Sequence, residues 1–492
     1  MNPVSMHSPN NPDRRAFLKN ASAAVGTVAL GGVATTLSGC GNAVAPQTTA
    51  GEPARQQAGL GQLTWNNWSE GQTCHPQAIL TPTSEAELAQ IIRNAPNVRF
   101  VGSGHSFMPL VCTEQTIVSL DPLAGVMAHD AQKVTATVLG GTKLSQLARD
   151  LEVIGQETIN LPDVLYQSLA GAMSTATHGT GKDTCAMHHY ATQIKLMTAD
   201  GQILTCNAQE NADVWSAAQV SLGALGAITE VTLQNRPARQ LHRKVWVQTL
   251  QSVLRDGATL FEQLEHFELL YLPHTGFCIL ISHTPYEGEM EPRLASMDDD
   301  GLNDLKQLRD KVPAFLRPLF ARFLIKDGEV LEEAKDQSWR VLAQPRPSKF
   351  NESEYHIPKE HGFACFERVC ATMDQMPDTY YPIEFRLTKG DDAWLSPFYQ
   401  RDCHSIAVHA SHVEPHDYLI GTIGPIFKHF GGRPHWGKLN DLGFKELAEL
   451  YPRWQDFLRI RAQLDPRGKF VNDYTRRIFN LKLKYEVQQK NR

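Results

Sequence analysis

Three short stretches of this 492-residue chain hold residue types suited to redox or acid–base chemistry. The first is Gly102-Ser103-Gly104-His105-Ser106-Phe107, directly after the apolar run Val98 to Val101. A buried strand that ends in two glycines can reach positive φ and bring bare backbone N–H groups close to an anion, as a phosphate cradle does. A plain tight turn uses the same Gly-x-Gly spacing. His105 adds a titratable nucleophile, although a histidine after such a turn also serves as a hydrogen-bonded loop residue. The second stretch is Pro382-Ile383-Glu384-Phe385-Arg386. Read as a strand, it projects Glu384 and Arg386 from one face. That is either an ordinary ion pair or an acceptor beside a planar fork of donors for substrate hydroxyls. The third, His435-Trp436-Gly437-Lys438, is on its own an aromatic turn with a surface lysine.

Local pattern supplies the elements that must position these groups. Ser84-Glu-Ala-Glu87 is a capping box, and Leu88, Ile91, Ile92 and Ala95 follow at helical spacing, so a helix precedes the strand that ends at Val101. Val134 to Leu139 alternates like a strand, and Leu144, Leu147 and Leu151 mark a short helix after Thr142. Residues 168–181 are dense in small and hydroxyl side chains, an odd composition for a strand or helix but suited to backbone that passes a large ligand or to a plain Ser/Thr-rich loop. Gly223-Ala-Leu-Gly-Ala-Ile-Thr229 is similar. The two tryptophans of Trp65-Asn-Asn-Trp-Ser69 read as core packing. From about residue 240 aromatic strands such as Phe267 to Leu272 set in, which marks a second domain. The basic, apolar segment from Pro313 to Ile325 reads as a buried or lid-forming helix, with docking on a membrane or partner as the alternative.

Together these stretches resemble the vanillyl-alcohol-oxidase flavoprotein superfamily, and most closely its aldonolactone and alditol oxidases. The motifs stand in family order from about Leu63 to Phe479, closing with Leu464-Asp-Pro-Arg-Gly-Lys-Phe-Val-Asn472. The resemblance implies an α+β fold: a flavin-binding domain over residues 63–238, a substrate domain over 239–430, and a segment over 431–479 that returns to the flavin. It implies FAD, bonded covalently through His105 and lined by Gly102, Ser103, Gly104, Ser106, Phe107, Ser168, Met173, Ala176, Thr180, Gly181, Ile228 and His435. It implies oxidation of an alcohol carbon of a sugar lactone or polyol by hydride transfer, with Glu384, Arg386 and Lys438 as catalytic residues and Ser411 at a distal hydroxyl. Lys438 would stabilise the charge that develops on the flavin. The family position that gates oxygen falls at Pro162, and proline there goes with oxidases. Oxygen is therefore the expected acceptor, with a quinone or cytochrome as the alternative, and a non-catalytic sugar-binding protein as a further one.

The totals exclude other classes. A formal charge of −6 without a Lys/Arg block offers nothing to nucleic acid, and 42% apolar with 20% charged residues is ordinary globular composition. Nine scattered cysteines without a Cys-x-x-Cys pair predict no metal site. Asp13-Arg-Arg-Ala-Phe-Leu-Lys19 resembles a twin-arginine export signal, and Leu37-Ser-Gly-Cys40 a bacterial lipobox. These imply a periplasmic protein lipidated on Cys40 and tethered by residues 41–62. Residues 480–492 read as a tail.

Overall fold

Ser84 opens the first helix of the computed structural model, which describes residues 63–292, 300–344, 346 and 348–481. Its Oγ accepts the Glu87 N–H at 3.2 Å, while the Glu87 carboxylate reaches back to the Thr83 N–H at 2.9 Å, one residue further than a capping box requires. The helix, Glu85–Asn94, lays Leu88 and Ile92 on a three-stranded parallel sheet in which Thr116–Ser119 lies between Ala78–Leu80 and Val98–Val101. The export signal, Cys40 and the tether lie outside the described residues, as does nearly all of the tail.

A second, antiparallel sheet has the order Ile203–Cys206, Ala191–Met197, Ala227–Gln234, Thr135–Leu139, Val126–Asp130. The helix Leu144–Val153 buries Leu144, Leu147 and Leu151. Residues 168–181 are not wholly irregular, because Leu169–Ser174 is helical. Leu169, Ala172 and Met173 recur at helical spacing and are buried, which outweighs the loop-like composition around them.

The third sheet is antiparallel and has eight strands, in the order Val330–Gln337, Gln240–Thr249, Phe277–Tyr286, His266–Leu272, Ile383–Thr388, Cys403–Ser411, Phe350–Pro358, Arg433–Pro434. Its first residue in the chain is Gln240, and its last strand comes from the C-terminal segment. Cross-strand register puts two rows on one face. Val247, Ile279, Leu270, Glu384, Ala407 and Glu354 form the first, and Val245, Ile281, Glu268, Arg386, Ser405 and His356 the second. Both rows run from aliphatic to ionisable residues. Over the aliphatic end lie the helices Asp300–Lys311 and Arg317–Leu324. The segment 313–325 is thus lid-like on one side, with Ala321 packed on Val247 and Phe277, yet it exposes Phe315 and Leu319 on the other, with the largely exposed Phe323 at its rim. No helix among the described residues is long and apolar enough to cross a membrane.

The chain end returns to the parallel sheet. Asn97 Nδ2 donates to Lys469 O (2.7 Å) and Val471 O (2.8 Å), and the Val98 N–H donates to Lys469 O (2.9 Å). Asn472 caps Asp473–Ile478 and donates to Pro109 O (2.7 Å) and Cys112 O (2.9 Å), which clamps the turn that follows residues 102–107. Asn472→Ala removes a helix cap and leaves buried acceptors unmade, so we expect a loss of about 2–4 kcal/mol in urea unfolding of the holoprotein. An unchanged midpoint would show that the clamp contributes nothing.

Candidate functional site

A cavity of about 1270 Å³ lies between the glycine turn, the two smaller sheets and the ionisable face of the large sheet. Ordinary small-molecule pockets hold roughly 300–1,000 Å³, so there is room for a dinucleotide-sized cofactor and a substrate together. The Gly102 to Ser106 turn forms one wall. Gly104 has φ +68°, and a Cβ at Gly102 would collide with Ser168 Oγ, so this turn and the start of the helix Leu169–Ser174 meet at a distance only glycine allows. The backbone N–H groups of residues 103–106 have no protein acceptor among the described residues. Ser103 Oγ accepts from Lys143 Nζ at 2.9 Å and donates to Tyr166 O, which holds the turn open. Gly226, Ala227 and Ile228 line another part of the cavity, and a Cβ at Gly140 would strike Ile228 O.

His105 is stacked between Trp68 (ring centroids 4.8 Å apart) and Tyr166 (5.8 Å). Burial, with the charges of Lys438 and Lys143, lowers its pKa to about 4. At neutral pH it is an uncharged imidazole with its ring plane fixed, the form a nucleophile requires. The tryptophans are therefore part of the site, since Trp65 lines the cavity and Trp68 supports His105.

Arg386 organises the opposite wall. Its guanidinium holds Glu268 at 2.7 Å, Asp163 at 2.7 Å and Glu384 at 2.8 Å, and Arg346 adds contacts to Glu384 (3.3 Å) and Asp163 (3.4 Å). Burial opposes the charge on Glu384, but Arg386, His409 and Arg346 hold its pKa down at about 2. Burial and the adjacent Asp163 push Glu268 up to about 7, so the cluster sheds surplus negative charge there. His409 Nδ1 faces Pro382 O at 3.1 Å, which leaves Nε2 towards Glu352 (3.7 Å) and Glu384 (4.0 Å).

The turn from His435 to Lys438 is stitched to the strand Phe350–Pro358, where His435 N–H donates to Glu354 O (2.9 Å) and Leu439 N–H to Glu352 O (2.8 Å). Lys438 Nζ pairs with Glu352 and sits 5.3 Å from the Phe107 ring centroid. The Gly437 N–H donates to His435 Nδ1 at 3.0 Å, and burial lowers the His435 pKa to about 3 against the pull of Glu354. His435 is thus neutral, with its proton on Nε2. Behind it, Glu354 accepts from His178 Nε2 at 2.9 Å. His178, Glu354 and His356 bring three possible metal-ligand atoms within 4.8 Å of one another, a grouping that the chain's spacing did not reveal.

Among the residues anticipated from sequence, Gly102, Ser103, Gly104, His105, Ser106, Ser168, Ile228, Glu384, Arg386, His435, Lys438 and Pro162 line this cavity. Phe107, Met173, Ala176, Thr180, Gly181 and Ser411 do not. Met173 and Ala176 sit in the hydrophobic core. Thr180 Oγ1 donates to Phe267 O, and the Gly181 N–H to Leu387 O at 2.8 Å, so both tie the flavin-side segment to the large sheet. Phe107 lies behind the turn, its N–H donating to Gly437 O at 2.7 Å, and Ser411 pairs across the sheet with Phe350. Asp163, Arg346, Glu352, Glu354, His178 and His409 also line the cavity and were not anticipated. The alternation Phe350, Glu352, Glu354, His356 was the available signal for two of them.

The family model for D-arabinono-1,4-lactone oxidase matches residues 231–478, and that for an FAD binding domain matches residues 76–207. L-gulono-1,4-lactone dehydrogenase of Mycobacterium tuberculosis is 34% identical over 428 residues, covering 84% of this chain and 98% of the relative. L-gulonolactone oxidase of Mus musculus is 30% identical over 85% of this chain and 98% of its own, and alditol oxidase of Streptomyces 26% identical over 83% and 97%. The crystal structure of cholesterol oxidase from B. sterolicum superposes with a TM-score of 0.71 at 14% identity, over 88% of this chain and all of the other (100%), a likeness of fold. The unpaired N–H groups of the turn, the glycine contacts and the neutral His105 fit FAD.

Acidification tests the electrostatics. Free histidine titrates near 6.5, whereas His105 and His404 are held at about 4, His435 at about 3 and His356 well below its ordinary value, all chiefly by burial. Between about 6.5 and 4.5 the unfolded chain therefore binds protons that these four imidazoles refuse. Glu268 acts in the opposite sense, since at about 7 it keeps a proton that the unfolded carboxyl releases above 4.5. Four sites outweigh one, so stability falls as pH drops through that window. Urea midpoints at pH 7 and pH 5 measure it, and equal or higher stability at pH 5 would contradict the burial of neutral histidines.

Proposed function

The chain belongs to the D-arabinono-1,4-lactone oxidase family of FAD-dependent oxidoreductases acting on CH–OH groups, and we propose how its own residues divide the oxidation of a sugar lactone or alditol. The observation that carries this reading is the convergence of Glu384, Arg386, His409 and Lys438 with His105 on one cavity. When bound, the flavin supplies the hydride acceptor, and in our reading it is attached through the neutral His105 imidazole. Arg386 offers planar donors to substrate hydroxyls. Glu384, charged down to a pKa of about 2, accepts from a hydroxyl and orients it instead of taking its proton. His105 and His435 are equally poor bases near neutrality. We assign proton removal to the neutral form of His409, whose Nδ1–H is tied to Pro382 O and whose Nε2 takes the proton, the resulting cation being paired by Glu352 and Glu384. Lys438 supplies positive charge where negative charge develops, the charge that already lowers the His105 pKa.

Pro162 lines the cavity, which supports oxygen as an acceptor. Export by the twin-arginine route and a lipid anchor on Cys40 rest on the sequence motifs. The fold of a purely sugar-binding protein would not need these buried, mutually restrained ionisable groups.

Anaerobic mixing of the holoenzyme with aldonolactones and alditols, followed by admission of air, tests the substrate class and oxygen together. Bleaching of flavin absorbance and rapid recolouring are expected, and no bleaching by any of them would remove the reading. In the same single-turnover experiment Lys438→Met and His409→Asn should each slow bleaching by about 10²–10³-fold while the flavin stays bound. Wild-type rates would take the residue concerned out of the reaction. Cys40→Ser should move the protein from membrane to soluble fractions, and a mutant that stays in the membrane fraction would point to another anchor.

A further inference from the structure

Past its ionisable end the cavity has an arm whose sheet wall is aliphatic. Beyond Glu384 the same sheet face continues through Leu270, Ile279 and Val247, and all three line the cavity. Leu305 and Leu308 of the helix Asp300–Lys311 and Phe320 of the helix Arg317–Leu324 close this arm from above. Asp304, Gln307 and Lys311 of the helix Asp300–Lys311, with Lys326 and Glu329, put polar groups on the lid side, but the sheet wall opposite is aliphatic and offers the hydroxyl groups of a lactone or polyol no hydrogen bonds. The arm therefore suits an apolar chain whose polar head reaches Arg386 and Lys438.

Its mouth points to where such a molecule comes from. Phe323 and Val330 line the arm and are 75% and 46% exposed, and Phe315 (82%) and Leu319 (52%) continue the stripe at intervals of four residues. The exposed cations Arg322 and Lys326 flank it. An apolar stripe bordered by cations is the face expected at an anionic lipid surface.

We propose that this arm is the binding site of a lipid-soluble quinone, drawn from a bilayer at the Phe323 mouth, which accepts the electrons of the reaction. The proposal rests on the oxidoreductase reading above and names its acceptor. The balance closes: the substrate CH–OH becomes C=O and gives up two electrons and two protons, and the quinone takes both to become a quinol, with no oxygen consumed. Product leaves before the quinone head enters, because both use the Arg386 and Lys438 end of the cavity. Pro162 can still admit oxygen when no quinone is present.

Two measurements on the holoenzyme test it. Oxidised protein is titrated calorimetrically with benzoquinones that carry n-alkyl tails of increasing length. Separately, dithionite-reduced protein is mixed with the same series under anaerobic conditions and flavin recolouring is followed. Affinity and recolouring rate at limiting quinone should both rise by up to roughly fourfold per methylene until the arm is full. Leu305→Lys should abolish that tail dependence while leaving the tail-less quinone and substrate bleaching at wild-type values. Phe323→Ser, at an exposed position that folding tolerates, should weaken it. Tail-independent binding and rates, or tail dependence unchanged in both variants, would overturn the proposal. Bleaching by simple long-chain alcohols would also overturn it, by assigning the arm to substrate. Dithionite makes the quinone test independent of the sugar-lactone reading, whose own failure would appear as no bleaching by lactones or alditols.

Discussion

A buried guanidinium is costly unless its partners are fixed around it, and Arg386 has its partners fixed from both halves of the molecule. Asp163 reaches it from the flavin-side loop, and Glu268 and Glu384 from neighbouring strands of the large sheet. The loop is tied to the same side again where the Gln344 N–H donates to Asp163 O at 2.8 Å. Glu157 makes a second tie between the halves, accepting from Ser338 Oγ and pairing with Arg239 at 3.2 Å. Three carboxylates against Arg386 and Arg346 leave surplus negative charge, and the raised Glu268 pKa is the consequence. Breaking this cluster would loosen the wall of the cavity and the seating of the Asp163 loop on the large sheet together.

The rest of the site follows from one sheet face whose polarity changes along its length. At one end it presents Glu354, Glu384 and Arg386 to the cavity, and further along Leu270, Ile279 and Val247. The facing wall is made of glycines and small residues because backbone has to approach backbone. A Cβ at Gly140 would meet Ile228 O, and one at Gly226 would meet Met197 O. His105 and Lys438 stand on neighbouring turns that are joined where the Phe107 N–H donates to Gly437 O, so their separation is set by the scaffold and not by flexible loops.

Local chemistry was legible in the sequence and long-range pairing was not. The turn at residues 102–107 could be read because positive φ at Gly104 leaves a mark in residue type. Glu384 and Arg386 could be read because strand alternation alone puts them on one face. Their partners could not, since Glu268 comes from another strand and Asp163 and Arg346 from loops, and they meet only in the folded chain. The stretch 168–181 does line the cavity, through Ser168, Ala170, Gly171, Ser174, Thr175 and Thr177. Small residues equally suit tight packing between layers, and Met173, Ala176, Thr180 and Gly181 serve that second purpose. His178 and His409 escaped notice because a buried imidazole leaves no periodic signal.

The central claim is that the planar, doubly anchored Arg386 fork orients both the carboxylates and the substrate. Arg386→Lys keeps the charge and removes the fork, so anaerobic single-turnover reduction of this variant by the best lactone or alditol is the most direct measurement. The account predicts normal flavin content and a bleaching rate lower by about 10²-fold or more at saturating substrate. Bleaching of Arg386→Lys at the wild-type rate would show that charge alone suffices and that the fork is not what the site is built on.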